Sequence, residues 1–304
     1  MATDRITTSI DQEKCTGCGL CVEVCPDQTI SMEGNKAAVT GSRCLQCGHC
    51  AAICPVSAIE VNGIDPNSLS FKSFELNKRW LKWGDFDTSK LVRLMASRRS
   101  CRNYQERPVS REILADLVKI GTTAPSGTNS QKWTFTILDR REQVEKFGDR
   151  IGAFFRKLNK MAANPLLRLL SRLFSNDALG NYYRRYYDSI KKGLEKRDKE
   201  GCDLLFHGAP AVILVGSEVG GSCPAEDALL ATQNILLGAH AMGLGSCLIG
   251  FAVSAIQRDP TIKDILTIPR QEEIYAVIAL GHPNEHYQRL TGRRPLQPRF
   301  PDMA

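Results

Sequence analysis

Eight of the twelve cysteines stand in two runs whose spacing can do redox chemistry. Cys15, Cys18, Cys21 and Cys25 precede Pro26, and Cys44, Cys47, Cys50 and Cys54 precede Pro55. Each run reads C-x2-C-x2-C-x3-C-P, and the second repeats the first at an offset of 29 residues. Four thiolates so spaced suit a cubane iron–sulfur cluster, and repetition at one offset marks an internal duplication. Zinc competes, because C-x2-C pairs also bind it, but two quartets each closed by Cys-Pro fit iron–sulfur better. In a reducing compartment such cysteines are metal ligands more often than disulfides. The implied chemistry is transfer of single electrons.

A second group is Arg98-Arg99-Ser100-Cys101-Arg102. Three arginines and a serine within five residues can surround a phosphate with charge-assisted hydrogen bonds, although such a cluster also occurs as a solvated face. Val109–Lys119 follows with a helical period and stops at Gly121. Then come Ala124-Pro125-Ser126-Gly127-Thr128-Asn129-Ser130-Gln131-Lys132-Trp133 and a strand-like Thr134–Leu138.

These residues need loops and elements to hold them. Gly17, Gly19 and Gly48 suit loops whose backbone N–H groups approach cluster sulfurs. The fourth cysteine of each run is expected at the start of a helical turn set by Pro26 or Pro55. Segments 29–32 and 36–39 flank Glu33-Gly34-Asn35 as a short hairpin, and Ile59–Val61 is expected to pair with Ile6–Ile10. So little apolar sequence cannot hold about 60 residues alone, so the clusters act as the core. His49 reads as a surface loop residue. In the connector, residues 65–89, Phe71, Phe74, Trp80 and Trp83 predict packing rather than a free tether. Thr88 or Ser89 reads as the cap of a helix running to about Ala96. Ala209–Val215 and Ile274–Leu280 read as buried strands, and Asp227–His240 as a helix apolar nearly all round.

With 304 residues, 42% hydrophobic and 24% charged, the chain has room for one small and one medium globular unit. Residues 1–14 show no apolar core of a secretory signal, and no apolar run reaches the ~18 residues of a spanning helix. A cytoplasmic, oxygen-poor setting is expected. Of the net +7, residues 150–200 hold thirteen Lys/Arg against five Asp/Glu. This basic helical excursion, about 142–203, has three readings: packed structure, a lid shaped by Tyr182–Tyr187, or a membrane-surface face. No nucleic-acid motif accompanies the charge. Gly243-x-Gly245 lacks the third glycine and the preceding strand of a dinucleotide fingerprint.

The pattern R-R-S-x-R, helix, A-P-S-x-x-N-x-Q-x-W, strand resembles the opening of the nitroreductase family of FMN enzymes, with Gln131-Lys132-Trp133 where Gln-Pro-Trp is usual. The whole chain resembles ferredoxin–nitroreductase fusions of anaerobic microbes. That resemblance implies an α+β fold: a ferredoxin-like two-cluster domain (1–64), a packed linker (65–89) and a nitroreductase-fold FMN domain (90–304). The last has an antiparallel or mixed sheet flanked by helices and is homodimeric. The resemblance assigns Cys15, Cys18, Cys21 and Cys54 to one [4Fe–4S] cluster, and Cys44, Cys47, Cys50 and Cys25 to the other. It places Arg98, Arg99, Ser100, Arg102, Arg293 and Arg294 around the FMN phosphate and ribityl chain, with Arg102 reaching the ring. Leu248, Ile249 and Gly250 would line the ring, Pro125, Ser126, Gly127 and Asn129 would approach from the other subunit, and Gln131 is a further cofactor-binding residue.

No side chain is assigned as a catalytic acid or base, since the flavin carries the chemistry in this family. The implied function passes electrons through both clusters to FMN, which reduces a nitroaromatic, quinone or similar acceptor. Reduced ferredoxin or NAD(P)H would be the donor. Two other readings stand: an electron-transfer module for a protein partner, and a reductive dehalogenase. Cys101, Cys202, Cys223 and Cys247 read as apolar filler, with Cys247 beside the flavin-facing segment.

Overall fold

The computed structural model describes residues 8–303, so Ile6 and Thr7 of the expected first strand lie outside the described residues. In the N-terminal unit β1 (Thr8–Ile10) pairs antiparallel with β4 (Ile59–Val61). Between them lie α1 (Leu20–Glu23), β2 (Ile30–Glu33), β3 (Lys36–Val39) and α2 (His49–Ile53). β2 and β3 form the expected hairpin, with Glu33 opposite Lys36 across Gly34-Asn35.

The duplication is written in the backbone. Positive φ recurs at the 29-residue offset in Gly17 and Gln46 (76° and 52°), Gly19 and Gly48 (75° and 73°), and Gln28 and Ser57 (52° and 51°). Sulfur hydrogen bonds repeat as well: Thr29 N–H donates to Cys25 Sγ at 3.2 Å, and Ala58 N–H to Cys54 Sγ at 3.3 Å. Gly17 is obligatory twice over, because a Cβ there would lie 2.0 Å from the Asn35 carbonyl oxygen. Cys25 and Cys54 each open a proline-led turn, closed by Gln28 N–H on the Cys25 carbonyl at 3.2 Å and by Ser57 N–H on the Cys54 carbonyl at 3.3 Å, but neither turn continues as a helix. The helical turns come before them, holding Cys21 and Cys50, and Cys25 and Cys54 follow their ends. Proline after each cysteine cannot extend the helix. His49 opens α2, exposed, rather than lying in a loop.

The connector leads to α3 (Thr88–Ser97) and α4 (Arg111–Gly121). The cap of α3 is Asp87, whose carboxylate accepts the Lys90 N–H at 3.0 Å; it displaces the expected Thr88 or Ser89 because a carboxylate reaching N3 also suits the positive helix end. Asp116, buried on α4, accepts from Lys72 N–H (2.9 Å), Ser73 N–H (2.7 Å) and the Ser73 hydroxyl (2.6 Å). Lys119 Nζ donates to the Ser70 carbonyl at 2.5 Å. Phe71 stacks on Phe74 at 4.4 Å, while Trp80 and Trp83 stay 72% and 89% exposed.

The C-terminal unit is built on an antiparallel sheet whose strand order is β5 (Trp133–Leu138), β6 (Ala211–Ser217), β8 (Glu273–Gly281), β7 (Gly245–Leu248). Every residue of β6 is buried. Val212 and Leu214 face one core with Phe147, Ile151 and Ile256; Ala211, Ile213 and Val215 face another with Leu114, Leu117 and Ile235. This is period-two alternation in a strand covered on both sides. A register shift at Val215/Gly216 leaves Tyr275 as an extra residue in β8. Ile274 and Val277 therefore share one core although an odd number of steps separates them.

α4 and α9 (Pro224–Ala241) cover one face; α5 (Arg141–Ala163) and α10 (Gly250–Arg258) cover the other. The basic excursion is α5, α6 (Pro165–Phe174), α7 (Ala178–Arg185) and α8 (Tyr187–Glu200). Its charge is partly paired: Arg156 with Asp198, Arg184 with Asp177, and Arg197 with Asp149. Arg168 lies over the Tyr183 ring at 4.2 Å. Among the described residues no helix is long and apolar enough to cross a membrane.

Candidate functional site

Cys15, Cys18, Cys21 and Cys54 line one small cavity; Cys25, Cys44, Cys47 and Cys50 line a second. The fourth thiol of each run thus faces the cavity of the other run. All of these are free thiols. Among the described residues no three His, Cys, Asp or Glu side chains converge on a single ion. The thiols instead ring a volume, the donor arrangement that suits a four-iron cube. Burial pushes the Cys50 thiol up to about 11, so cationic iron is what would deprotonate it. Burial also opposes ionisation of Cys25, but the Thr29 hydroxyl and amide outweigh it and hold that thiol below its ordinary value.

The arginine group lies on β7. After α3, Arg98 turns extended, Ser100 bridges parallel to Ser246, and Cys101 N–H donates to the Ser246 carbonyl at 3.0 Å. This lays Arg98 and Arg99 beside a cavity of ≈ 610 Å³ that Arg93, His240, Ser246 and Arg289 also line. Ser246 Oγ is buried and has no hydrogen-bond partner among the described residues. An orphaned hydroxyl among guanidinium groups fits an anion rich in acceptor oxygens, such as a phosphate. Burial and the Arg98 charge hold His240 below its ordinary pKa.

A second cavity, ≈ 1210 Å³, adjoins the other end of β7. Arg102, His207, Cys247, Leu248, Ile249 and Gly250 form one wall, and α5, α6 and α7 form the other with Phe154, Leu170, Phe174 and Tyr182. Burial, then Arg102, keeps His207 below its usual range. Burial raises the Cys247 thiol, against the opposing pull of Arg102 and Ser100.

Pro125–Gln131 lines neither cavity. Asp227, buried near the start of α9, holds this loop by accepting the Gly127 N–H at 2.9 Å and the Ser130 hydroxyl at 3.3 Å. Thr128, Asn129 and Gln131 have φ of 51°, 54° and 48°, a region that non-glycine residues occupy only when surrounding bonds enforce it. Asn129 Nδ2 donates to the carbonyls of Leu45 and Gln46, both at 3.0 Å. Its Oδ1 accepts from Gln131 Nε2 at 3.1 Å. Asn129 therefore binds the second cysteine loop.

Two rulers measure how far this loop lies from the arginines. Asp227 and His240 are 13 residues apart on α9, about 20 Å at 1.5 Å per residue. β5 and β7 are opposite edges of the sheet, about 14 Å apart at ~4.8 Å per strand. Trp133 pairs through Ser217 to Glu273, whereas Leu248 pairs with Ile278; those five residues along β8 add about 17 Å in the perpendicular direction. The Pro125–Gln131 loop and the arginines thus stand at opposite ends of α9, about 20 Å apart along its axis. Arg293 and Arg294 lie in an exposed tail without regular secondary structure and line neither cavity; Arg289 stands at the first.

Residues 95–282 match the nitroreductase family model. The chain belongs to the nitroreductase family. Residues 7–55 match the 4Fe-4S dicluster domain, so a two-cluster ferredoxin unit precedes the nitroreductase domain. The chain is similar to 4-nitrobenzoate reductase of Pseudomonas putida, 27% identical over 216 residues, 66% of this chain and 87% of the relative. It is also similar to iodotyrosine deiodinase of Nematostella vectensis, 20% identical over 205 residues, 64% of this chain and 68% of the relative. A crystal structure of an FMN-bound nitroreductase from Bacteroides fragilis shares the fold, with a TM-score of 0.52 and 20% identity, covering 70% of this chain and all of that one. The α+β nitroreductase architecture stands. Ser246, His240, Arg289, His207 and Asp227 are site-lining or loop-holding residues that the sequence does not single out; only Ser246 carries a signal there, inside the stretch Gly243–Gly250 whose end the resemblance sets along the flavin ring.

Proposed function

We propose that the chain is an iron–sulfur flavoprotein oxidoreductase acting on an electron-poor organic acceptor of the nitroaromatic or quinone type. Its cofactors are two [4Fe–4S] clusters and FMN, the latter bound between two copies of the chain. The clusters would supply one-electron conduction and the flavin two-electron chemistry. Arg98, Arg99 and the orphaned Ser246 hydroxyl fit the phosphate. Arg102 lies toward the ring position along Leu248–Gly250, where a fixed cation favours electron-rich forms of a bound ring. Pro125–Gln131 of a second copy supplies the facing wall, because the same loop of one chain stands at the far end of α9, ~20 Å away. Leu229 and Leu230 of α9 are 50% and 45% exposed, consistent with an apolar face that a second copy covers.

The observation that carries this reading is the Asn129 clasp, which hydrogen-bonds a thiol-ringed cavity directly to the nitroreductase domain. The aromatic and aliphatic wall from α5–α7 suits a flat organic ring, and a cavity that size supports a small-molecule acceptor over a pure carrier module. Reduced ferredoxin is the favoured donor, with NAD(P)H second, since a cluster unit ahead of the FMN domain takes up electrons one at a time. The test is anaerobic: count iron, sulfide and FMN, reduce the protein, and mix it with 4-nitrobenzoate. Flavin and cluster absorbance should both recover while a hydroxylamine or amine forms. Recovery of the clusters with an idle flavin sinks the proposal. Reductive dehalogenation is the second reading, favoured by the similarity to a deiodinase; halide release from halogenated phenols would select it.

A further inference from the structure

We infer that each ferredoxin unit serves the flavin held by its partner's arginines, so that electrons cross the dimer on their last step. This rests on the two-chain FMN site proposed above. Gln46 stands between Cys44 and Cys47; its N–H donates to Cys44 Sγ at 3.3 Å, and its carbonyl accepts from Asn129 at 3.0 Å. One residue therefore links the second cysteine cavity to the loop around Asn129. That loop sits at the start of α9, while the arginine cavity of the same chain sits at its end, about 20 Å away. The flavin wall nearest Cys44 and Cys47 is the one the loop presents to the second copy.

The backbone supports a positioning role for this loop. Three of its non-glycine residues are held in the left-handed region, and the bonds that hold them run to two places. Asp227 anchors the loop to α9, and Asn129 anchors it to the cysteine loop. Strain kept by anchors on both sides fixes the separation between two bodies. The cavity of Cys25, Cys44, Cys47 and Cys50 is thereby the inner one, and that of Cys15, Cys18, Cys21 and Cys54 the outer.

Each crossing takes one electron from the reduced inner cluster, which is oxidised, and gives it to the partner-held FMN, which is reduced. Two crossings with two protons from solvent complete the flavin's reduction. A one-electron donor of the reduced-ferredoxin class restores the cluster.

Two heterodimers separate the routes. In the crossed pair one chain carries Arg98→Ala and Ser246→Ala but keeps its cysteines, and the other carries Cys44→Ser and Cys47→Ser but keeps its arginines. In the uncrossed pair one chain is unchanged and its partner carries all four substitutions. Both are loaded, assayed for iron, sulfide and FMN, and mixed with reduced ferredoxin without oxygen while flavin absorbance is followed. The crossed pair should bleach within about threefold of the unmodified protein per flavin, and the uncrossed pair about a hundredfold slower, as expected for displaced redox partners. Flavin fluorescence lifetime gives a readout free of turnover: cluster-dependent shortening is expected in the crossed pair alone. Bleaching in the uncrossed pair as fast as in the crossed one overturns the inference. Because cluster loss removes part of the small unit's core, Asn129→Ala in the full chain is the second variant. It should keep iron and FMN yet slow bleaching about tenfold, the effect of ~1.4 kcal/mol; an unchanged rate also overturns the inference. An unmodified protein that binds no FMN or no iron would instead remove the functional reading itself.

Discussion

The ferredoxin unit buries Ile30, Ala37, Ile59 and Val61 around Cys21 and Cys50, whereas the nitroreductase domain packs two separate cores against opposite faces of one sheet. In the small unit the thiols are part of the core, and its sheets have two strands each. Two-stranded sheets are marginal by themselves. In the large domain β6 and β8 are flanked on both sides, and core and sheet stabilise each other without a metal. Folding and cofactor loading should therefore be coupled in the first region and separable in the second.

The largest effect that would break this contrast is iron removal. Chelation under reducing conditions should unfold residues 8–61 while the nitroreductase domain keeps its melting transition. Hydrogen exchange would show it: β1–β4 amides lose protection and β6 amides keep it. Equal loss in both regions would erase the distinction. Next comes Phe147→Ala, which removes a ring buried against Phe206 at 5.4 Å. It should cost about 3–5 kcal/mol, lower the calorimetric midpoint of the large domain and leave iron content intact.

Between the two regions stands Asp116. Replacing it with Ala leaves the Lys72 and Ser73 amides unpaired, a loss of about 1–3 kcal/mol. Cleavage near residues 70–74 by a protease should rise while the core melting changes little. Acid should do the same. Burial opposes ionisation of Asp116, but its bonds to Ser73 and Lys72 win and hold its folded pKa below the ordinary value. Its stabilisation is therefore full above the ordinary aspartate range and fades as pH falls below about 4. Proteolysis over that range checks the sign. The smallest effect is Tyr182→Phe, which removes the hydrogen bond to Asn159 Oδ1 at 2.6 Å; about 0.5–1.5 kcal/mol should appear in the large domain's melting and none in cluster absorbance.

What the sequence revealed follows the range of the interactions involved. The cysteine runs, the Gly34-Asn35 hairpin and the α4 and β5 segments are governed by near neighbours, and all could be read directly. Asp87 was missed as a cap because Thr88 and Ser89 are equally plausible by type, and only backbone geometry chooses. Asp116 carried a faint signal, an acid on the buried face of the otherwise apolar Ile113–Val118 turn. Asp227 carried none, since acids near a helix start are ordinary. The partner of Asn129 lies 83 and 84 residues away, across two units whose docking no local pattern encodes. Arg289 could not be told from Arg293 and Arg294 because the tail has no periodicity.

Gly17 and Gln46 hold the same position in the two copies of the repeated loop, and their surroundings differ. The first is sealed by the Asn35 carbonyl, which leaves no room for a side chain. The second carries glutamine, whose carbonyl accepts from Asn129 of the nitroreductase domain. The duplicated carrier therefore has a polarity: one loop is closed on the hairpin of its own unit, and the other is bonded to the neighbouring domain.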